Sequence, residues 1–247
     1  MIILNKKKII IFHNKKTSGS SLGILMSLIK EKGDYITFHN VKLDLDKKII
    51  KKINLNKNLF NINYVKSLKN TIRNIIIFIL KTLIRKFKNK KIIPFIIYEE
   101  KYYGHTTPEY FKKHISNKIY NDYSKFTIYR KFSDQIYSMY NHKMSFAKKI
   151  ESYDEWVSKN LKTFYKETLK FYTKDIYFFN YHNMEDSLKV FCKKFKIDKN
   201  LAKIYKKIHL RTKNIKFPRT LKKSTKEKIF IKEKTIYKLV KQKLLSK

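Results

Sequence analysis

Glycine, proline, cysteine and acidic residues are all scarce in this chain. Four glycines and three prolines in 247 residues argue against a disordered or linker-rich protein. The single cysteine, Cys192, excludes an internal disulfide and any cysteine-cluster zinc site. It falls in an apolar helical pattern, which predicts a buried thiol and not a nucleophile. His39, His114, His142, His182 and His209 lack metal-ligand spacing, so no metal is assigned. Long hydrophobic runs are also missing. The most apolar stretch, residues 75–84, is too short to span a bilayer and contains Lys81. No cleavage pattern follows Met1, and the expectation is a cytoplasmic protein.

Lysine, by contrast, is abundant. The chain carries 59 Lys and Arg against 19 Asp and Glu, a formal charge of +40. Such a field attracts polyanions of several kinds. The lysines run the whole length of the chain, mixed with Ile, Asn, Phe and Tyr, a set that AT-rich codons favour. Charge alone therefore selects no partner and points to no specific nucleic acid. Residues 75–84, flanked by Arg73, Arg85, Lys86 and Lys88, fit a basic amphipathic helix, so peripheral contact with an anionic membrane is compatible with the sequence.

A hydrophobic fraction of 43% and this length suit one α/β domain over residues 1–247 with a sizeable core. Apolar patterning predicts strands near 8–13, 34–39, 92–98, 126–130 and 175–180. Helices are expected near 20–32, 65–89, 108–117, 133–147 and 151–172. Thr107 and Ser133 are the expected caps of two of them. Most of the chain after residue 180 reads as helical, with a break at Phe217-Pro218 and a basic helix over 220–247. Strands that alternate with helices predict a mostly parallel sheet flanked by helices on both faces.

The most informative stretch is Lys8-Ile-Ile-Ile-Phe-His13-Asn-Lys-Lys16-Thr17-Ser-Gly19-Ser20-Ser21-Leu22. A short apolar run ends in a small, polar turn with lysines, and an apolar-periodic segment follows. This reads as strand, anion-binding loop, helix. The loop amides, the first free N–H groups of the helix and a lysine would face one point, where a phosphate or sulfate can sit. The spacing is not that of a Walker A loop. A second strand–turn–helix pattern runs Phe126-Thr-Ile-Tyr-Arg130-Lys-Phe-Ser-Asp-Gln135-Ile-Tyr-Ser138-Met-Tyr140. Arg130 at the strand end and Ser138 two turns into the helix can converge on one phosphate, the guanidinium by bidentate hydrogen bonds. A third cluster is Tyr102-Tyr103-Gly104-His105-Thr106-Thr107-Pro108.

These motifs, in this order, resemble those of the carbohydrate-acting sulfotransferases that use PAPS (3′-phosphoadenosine-5′-phosphosulfate). The family's phosphosulfate loop typically reads His-x-Pro-Lys-Thr-Gly/Ala-Gly-Thr/Ser-Ser. His13, Lys16, Thr17, Gly19, Ser20 and Ser21 match it, with Lys15 in place of the proline. The second pattern is similar to the family's 3′-phosphate motif through Arg130, Ser138 and Tyr140, with Phe132 for a proline and Gln135 for a second arginine. His105 resembles the catalytic base of the uronyl 2-O-sulfotransferase branch, with Tyr103 where a second histidine often stands. Weaker likenesses lie at 152–157, at 176–186, where His182 replaces a glutamate, and at 225–229, whereas residues 40–92 match nothing in the family.

The resemblance implies a three-layer, P-loop-like sulfotransferase fold and transfer of a sulfuryl group from PAPS to a hydroxyl of a carbohydrate or glycoconjugate. PAP, the desulfonated donor, would be the product, and no metal is required. His105 would be the base and Lys16 the charge-stabilising cation. Lys16, Thr17, Ser18, Gly19, Ser20 and Ser21 would cradle the phosphosulfate, and Arg130 with Ser138 would hold the 3′-phosphate. The alternative is a basic protein that binds nucleic acid or other polyanions without catalysis. A nucleotide kinase is disfavoured, because the Walker lysine–serine pair and a magnesium-binding signature are absent.

Overall fold

A computed structural model of the chain describes residues 1–29, 31, 34–36, 105–206 and 217–246. The chain divides into two units, Met1–Asp44 with Tyr102–Lys247, and Leu45–Lys101. Only the first contains described residues. The expected helix over 65–89, the strand over 92–98, the apolar stretch 75–84 and the family-unmatched segment 40–92 lie outside them. Among the described residues no helix is long and apolar enough to cross a membrane.

The first unit is an α/β structure built on a mixed sheet. Its strands are β1 (Ile2–Leu4), β2 (Ile9–Ile11), β3 (Tyr35–Ile36), β4 (Ser124–Tyr129) and β5 (Ile176–Asn180), in the order β3-β1-β2-β4-β5. The sheet is not mostly parallel, as the patterning had suggested. β1 pairs antiparallel with both β2 and β3, while β2–β4 and β4–β5 are parallel. The reason is the β1–β2 hairpin at the start of the chain. Ile2–Leu4 is a three-residue strand, too short to show alternation, and the turn after it places Lys8 at φ 51.

The expected elements otherwise fall close to their predicted places. Helix α1 spans Gly19–Ser27, α2 Pro108–His114, α3 Asn117–Asp122, α4 Phe132–Met144 and α5 Tyr153–Leu169. Beyond β5 come α6 (Met184–Lys194), α7 (Asn200–Tyr205) and α8 (Lys223–Val240). Local chemistry sets the ends. Thr107 caps α2 through its hydroxyl, with Pro108 at the first helical position. Ser152 and Glu155 form a reciprocal capping box on α5. Ser133 is not the cap of α4. Lys131 occupies that position without a side-chain bond, and the Ser133 amide donates to the Glu233 carboxylate on α8 at 2.7 Å.

Helices α4, α5 and α8 contact one another. Tyr140, Tyr153, Trp156, Phe132, Phe164, Ile229 and Ile236 are buried in the core beneath them. Across the sheet, Phe126 meets Tyr177, Phe179, Phe191 and Phe195 at ring separations of 5.1–5.6 Å. Cys192 is buried here, as expected, and its apolar surroundings push the thiol up to about 11. The chain then returns to the sheet. Leu245 N donates to Phe178 O at 2.9 Å, and the Ser246 hydroxyl lies 2.7 Å from that of Ser187, so the last described residues cover the open edge of β5.

Helix α6 ends in a Schellman motif. Ile197 N donates to Cys192 O at 2.9 Å, and Lys196 takes the left-handed position at φ 52 that glycine usually fills. Lys196→Gly should therefore raise stability by about 1 kcal/mol in chemical denaturation. A loss of stability would contradict this assignment of the helix end. Ile236, fully buried on α8, anchors the basic C-terminal helix to the core. Ile236→Ala should cost about 2–5 kcal/mol, whereas a neutral result would mean that α8 does not dock.

Candidate functional site

The parallel register of β2, β4 and β5 delivers three strand ends to one edge of the sheet. At such an edge, ligands of open α/β sheets collect. The His13–Gly19 loop leaves β2, Arg130 leaves β4, and Tyr181 and His182 follow β5. Phe12 N donates to Phe126 O at 2.8 Å and the Thr127 hydroxyl to Phe12 O at 3.0 Å, which extends the β2–β4 register to the start of the loop.

The loop is folded against backbone strain. Lys16 (φ 60) and Ser18 (φ 67, ψ 23) are both left-handed, an arrangement that costs a non-glycine residue about 1–2 kcal/mol each. Internal bonds hold it in place. The buried Thr17 hydroxyl donates to Asn14 O at 2.9 Å, and Lys15 N donates to the Asn14 side chain at 2.7 Å. The Ser18 hydroxyl lies 3.0 Å from the Tyr205 hydroxyl on α7 and makes no cap bond to α1. Helix α1 therefore starts without a side-chain cap and without an acidic residue in its own first turn, which leaves the positive end of its dipole uncompensated from within the helix. Thr17 thus serves the loop itself through its hydroxyl. Ser21 is buried within α1, and Ser20 follows Gly19 in its first turn.

The three motifs meet here. Arg130 Nη1 donates to Lys16 O at 2.9 Å across 114 residues of sequence. Gln135, fully buried, donates from Nε2 to Lys15 O at 2.7 Å. Gln135 is thus a support for the loop. His105 Nδ1 lies 2.9 Å from His13 O, and the two rings are 4.8 Å apart. A carbonyl only accepts, so Nδ1 carries the hydrogen and Nε2 is the lone-pair nitrogen of the neutral ring. Ser138 is half-buried one turn beyond Gln135 on α4. Tyr140 does not join the site, because its hydroxyl donates to Glu151 O at 2.7 Å inside the core. Tyr103 lies outside the described residues.

Two buried polar atoms at this corner lack a hydrogen-bond partner, Arg130 Nε and Gln135 Oε1. An unmet buried group costs about 1–3 kcal/mol; a bound anion or water could accept from Arg130 Nε, whereas Gln135 Oε1 needs a donor such as water. Sequence reasoning missed several neighbours. Tyr181 stacks on the Arg130 guanidinium at 4.3 Å. His182 sits 3.4 Å from Asp134, and burial pulls its imidazole below the ordinary histidine range despite that carboxylate. Tyr172 reaches Asn14 at 3.4 Å, and burial keeps its hydroxyl protonated. Only the Arg130-to-strand-end spacing could have hinted at them. Among the described residues no group of three or more His, Cys, Asp or Glu side chains is placed to hold a metal ion.

In comparisons with protein-family models, curated proteins and solved structures, the chain matches none.

A Cβ at Gly19 would stand 1.9 Å from His13 Cδ2, so the His13 ring occupies the space that any side chain there would need. Gly19→Ala should destabilise the protein by about 1–3 kcal/mol. Adding His13→Ala should recover at least half of that loss in a double-mutant cycle read by thermal melting. Additive losses would mean that the two residues do not pack as described.

Proposed function

We propose that this protein is a PAPS-dependent O-sulfotransferase acting on a carbohydrate or glycoconjugate hydroxyl. The observation that carries the reading is the convergence of the three motifs on one loop: Lys16 O is held by Arg130 at 2.9 Å, and His13 O by His105 at 2.9 Å. In this reading the loop amides and the uncapped start of α1 hold the 5′-phosphosulfate, and Arg130 with Ser138 holds the 3′-phosphate that separates PAPS from simpler adenine nucleotides. The orphaned Arg130 Nε would gain an acceptor. The P-loop-like sulfotransferase fold belongs to the same proposal.

The reaction is an in-line displacement. The acceptor oxygen forms a bond to sulfur while the bond from sulfur to the bridging phosphate oxygen breaks, and PAP leaves with the electron pair. The acceptor proton passes to Nε2 of His105, the nitrogen left basic by the Nδ1 bond to His13 O. Lys16 neutralises charge that develops on the leaving oxygen. The rest of the barrier is lowered by positioning, as in phosphoryl transfer.

Calorimetric titration should give micromolar binding of PAP and at least tenfold weaker binding of 5′-AMP at moderate salt. Arg130→Ala should abolish that preference. Equal, weak and steeply salt-dependent binding of both would leave the polyanion-binding alternative standing. With a PAPS-consuming acceptor in hand, Lys16→Ala should lower turnover by about 10²–10³-fold. His105→Ala should lower it by a similar factor while donor affinity stays within about twofold, and a collapse of affinity would reject the base role.

A further inference from the structure

We infer that the outer face of α8 is a docking surface for an anionic lipid bilayer. Thr225, Ile229, Ile236 and Val240 face the core, and at 100° per residue the opposite arc carries Glu227, Phe230, Ile231, Lys234, Lys238 and Lys241. Phe230 is 65% exposed and Ile231 63%, and they stand about 100° apart at the two margins of this arc, while Tyr237 and Leu239 of the same helix are about half exposed. Large apolar side chains exposed at both margins of the outer face of one helix are a costly choice for a surface that only meets water. Lys226, Lys234, Lys238 and Lys241 surround them and are all exposed. Of the two glutamates of α8, Glu233 is turned inward to the Ser133 amide, which leaves Glu227 as the one acid on this arc.

Charge and shape together choose the occupant. The basic ring complements anionic headgroups, and the apolar pair is the right size to enter the boundary between headgroups and acyl chains. Nucleic acid would use the lysines and could stack a base on Phe230, but it would gain little from the aliphatic Ile231. The pairing of an aromatic with a branched aliphatic side chain fits lipid better than bases. Lys232 lies over the Tyr165 ring at 4.4 Å, and Tyr237, half exposed, packs against Tyr129 with ring centroids 6.2 Å apart, so these residues mark the boundary between the docked and the outer faces of α8.

Co-sedimentation of the full chain with vesicles tests this. Phosphatidylcholine vesicles containing about 30% phosphatidylserine should bind the protein at near-physiological salt, and pure phosphatidylcholine should not. Because a charge of +40 can draw the whole surface to anionic vesicles, the deciding variant is Phe230→Ser/Ile231→Ser. It should weaken partitioning by about tenfold with no change in melting temperature. Phe230→Trp should shift its emission to the blue on anionic vesicles, against a constant background from the buried Trp156. Unchanged partitioning of the double variant, or no shift from the new tryptophan, would overturn the proposal. An equal shift on single-stranded RNA, with the same loss in the double variant, would also overturn it in favour of a nucleic-acid surface.

Discussion

The parallel pairing of β2 with β4 is the constraint on which the candidate site rests. These strands are far apart in sequence, yet their pairing brings the end of one against the end of the other and so lets Arg130 reach Lys16 O. Without that register the left-handed Lys16 would lose the support of Arg130, and the strain in the loop would bear on the Ser18 bond to Tyr205. β5 then adds Tyr181 beside the guanidinium, and the aromatic packing around Phe126 keeps the three strands in step. Site geometry and core packing are therefore parts of one arrangement.

The imbalance of charge gives the few acids an uncommon weight. Many of them bind backbone amides. Asp34 accepts from Asn5, Asp154 from Lys222, Asp198 from Asn200, and Glu233 from Ser133. Each of these bonds fixes a turn or a helix start, where a carboxylate is worth more than in a solvated pair with one of many lysines. The exposed ion pairs, such as Lys170 with Glu167, are the less consequential use of the same residue type. Glycine scarcity acts in parallel. Lys8, Lys16, Ser18 and Lys196 stand at left-handed positions that most chains would give to glycine.

Much of the first unit was legible in the sequence because its signals are local. An apolar run followed by Lys-Thr-Ser-Gly-Ser-Ser marks β2, the loop and α1, and Thr107-Pro108 marks the start of α2 through hydroxyl and ring chemistry. The illegible parts depend on distance or on brevity. β1 is three residues long, and its pairing turns an expected parallel sheet into a mixed one. Gln135 read as a lost arginine, because no local pattern shows that its amide reaches Lys15 O. Ser133 read as a cap, but Glu233 from α8 takes its amide instead. At the site the three motifs were visible, whereas Tyr205, Tyr181 and Tyr172 were not, since a tyrosine in a periodic segment reads as core until the fold shows what its hydroxyl or ring meets.

The strand closed by the return of Leu245 and Ser246 bears on how the chain folds as it is made. β5 has a neighbour on one side from the time β4 forms, but its other side is covered only by residues some 65 positions further on, about 3–13 s later at ordinary rates of synthesis. During that interval a row of backbone donors and acceptors faces outward on an aromatic-rich strand. The nascent chain thus passes through a stage in which the open edge of β5 can pair with a neighbour on the same polysome, and release from that stage waits for the emergence of Leu244–Ser246.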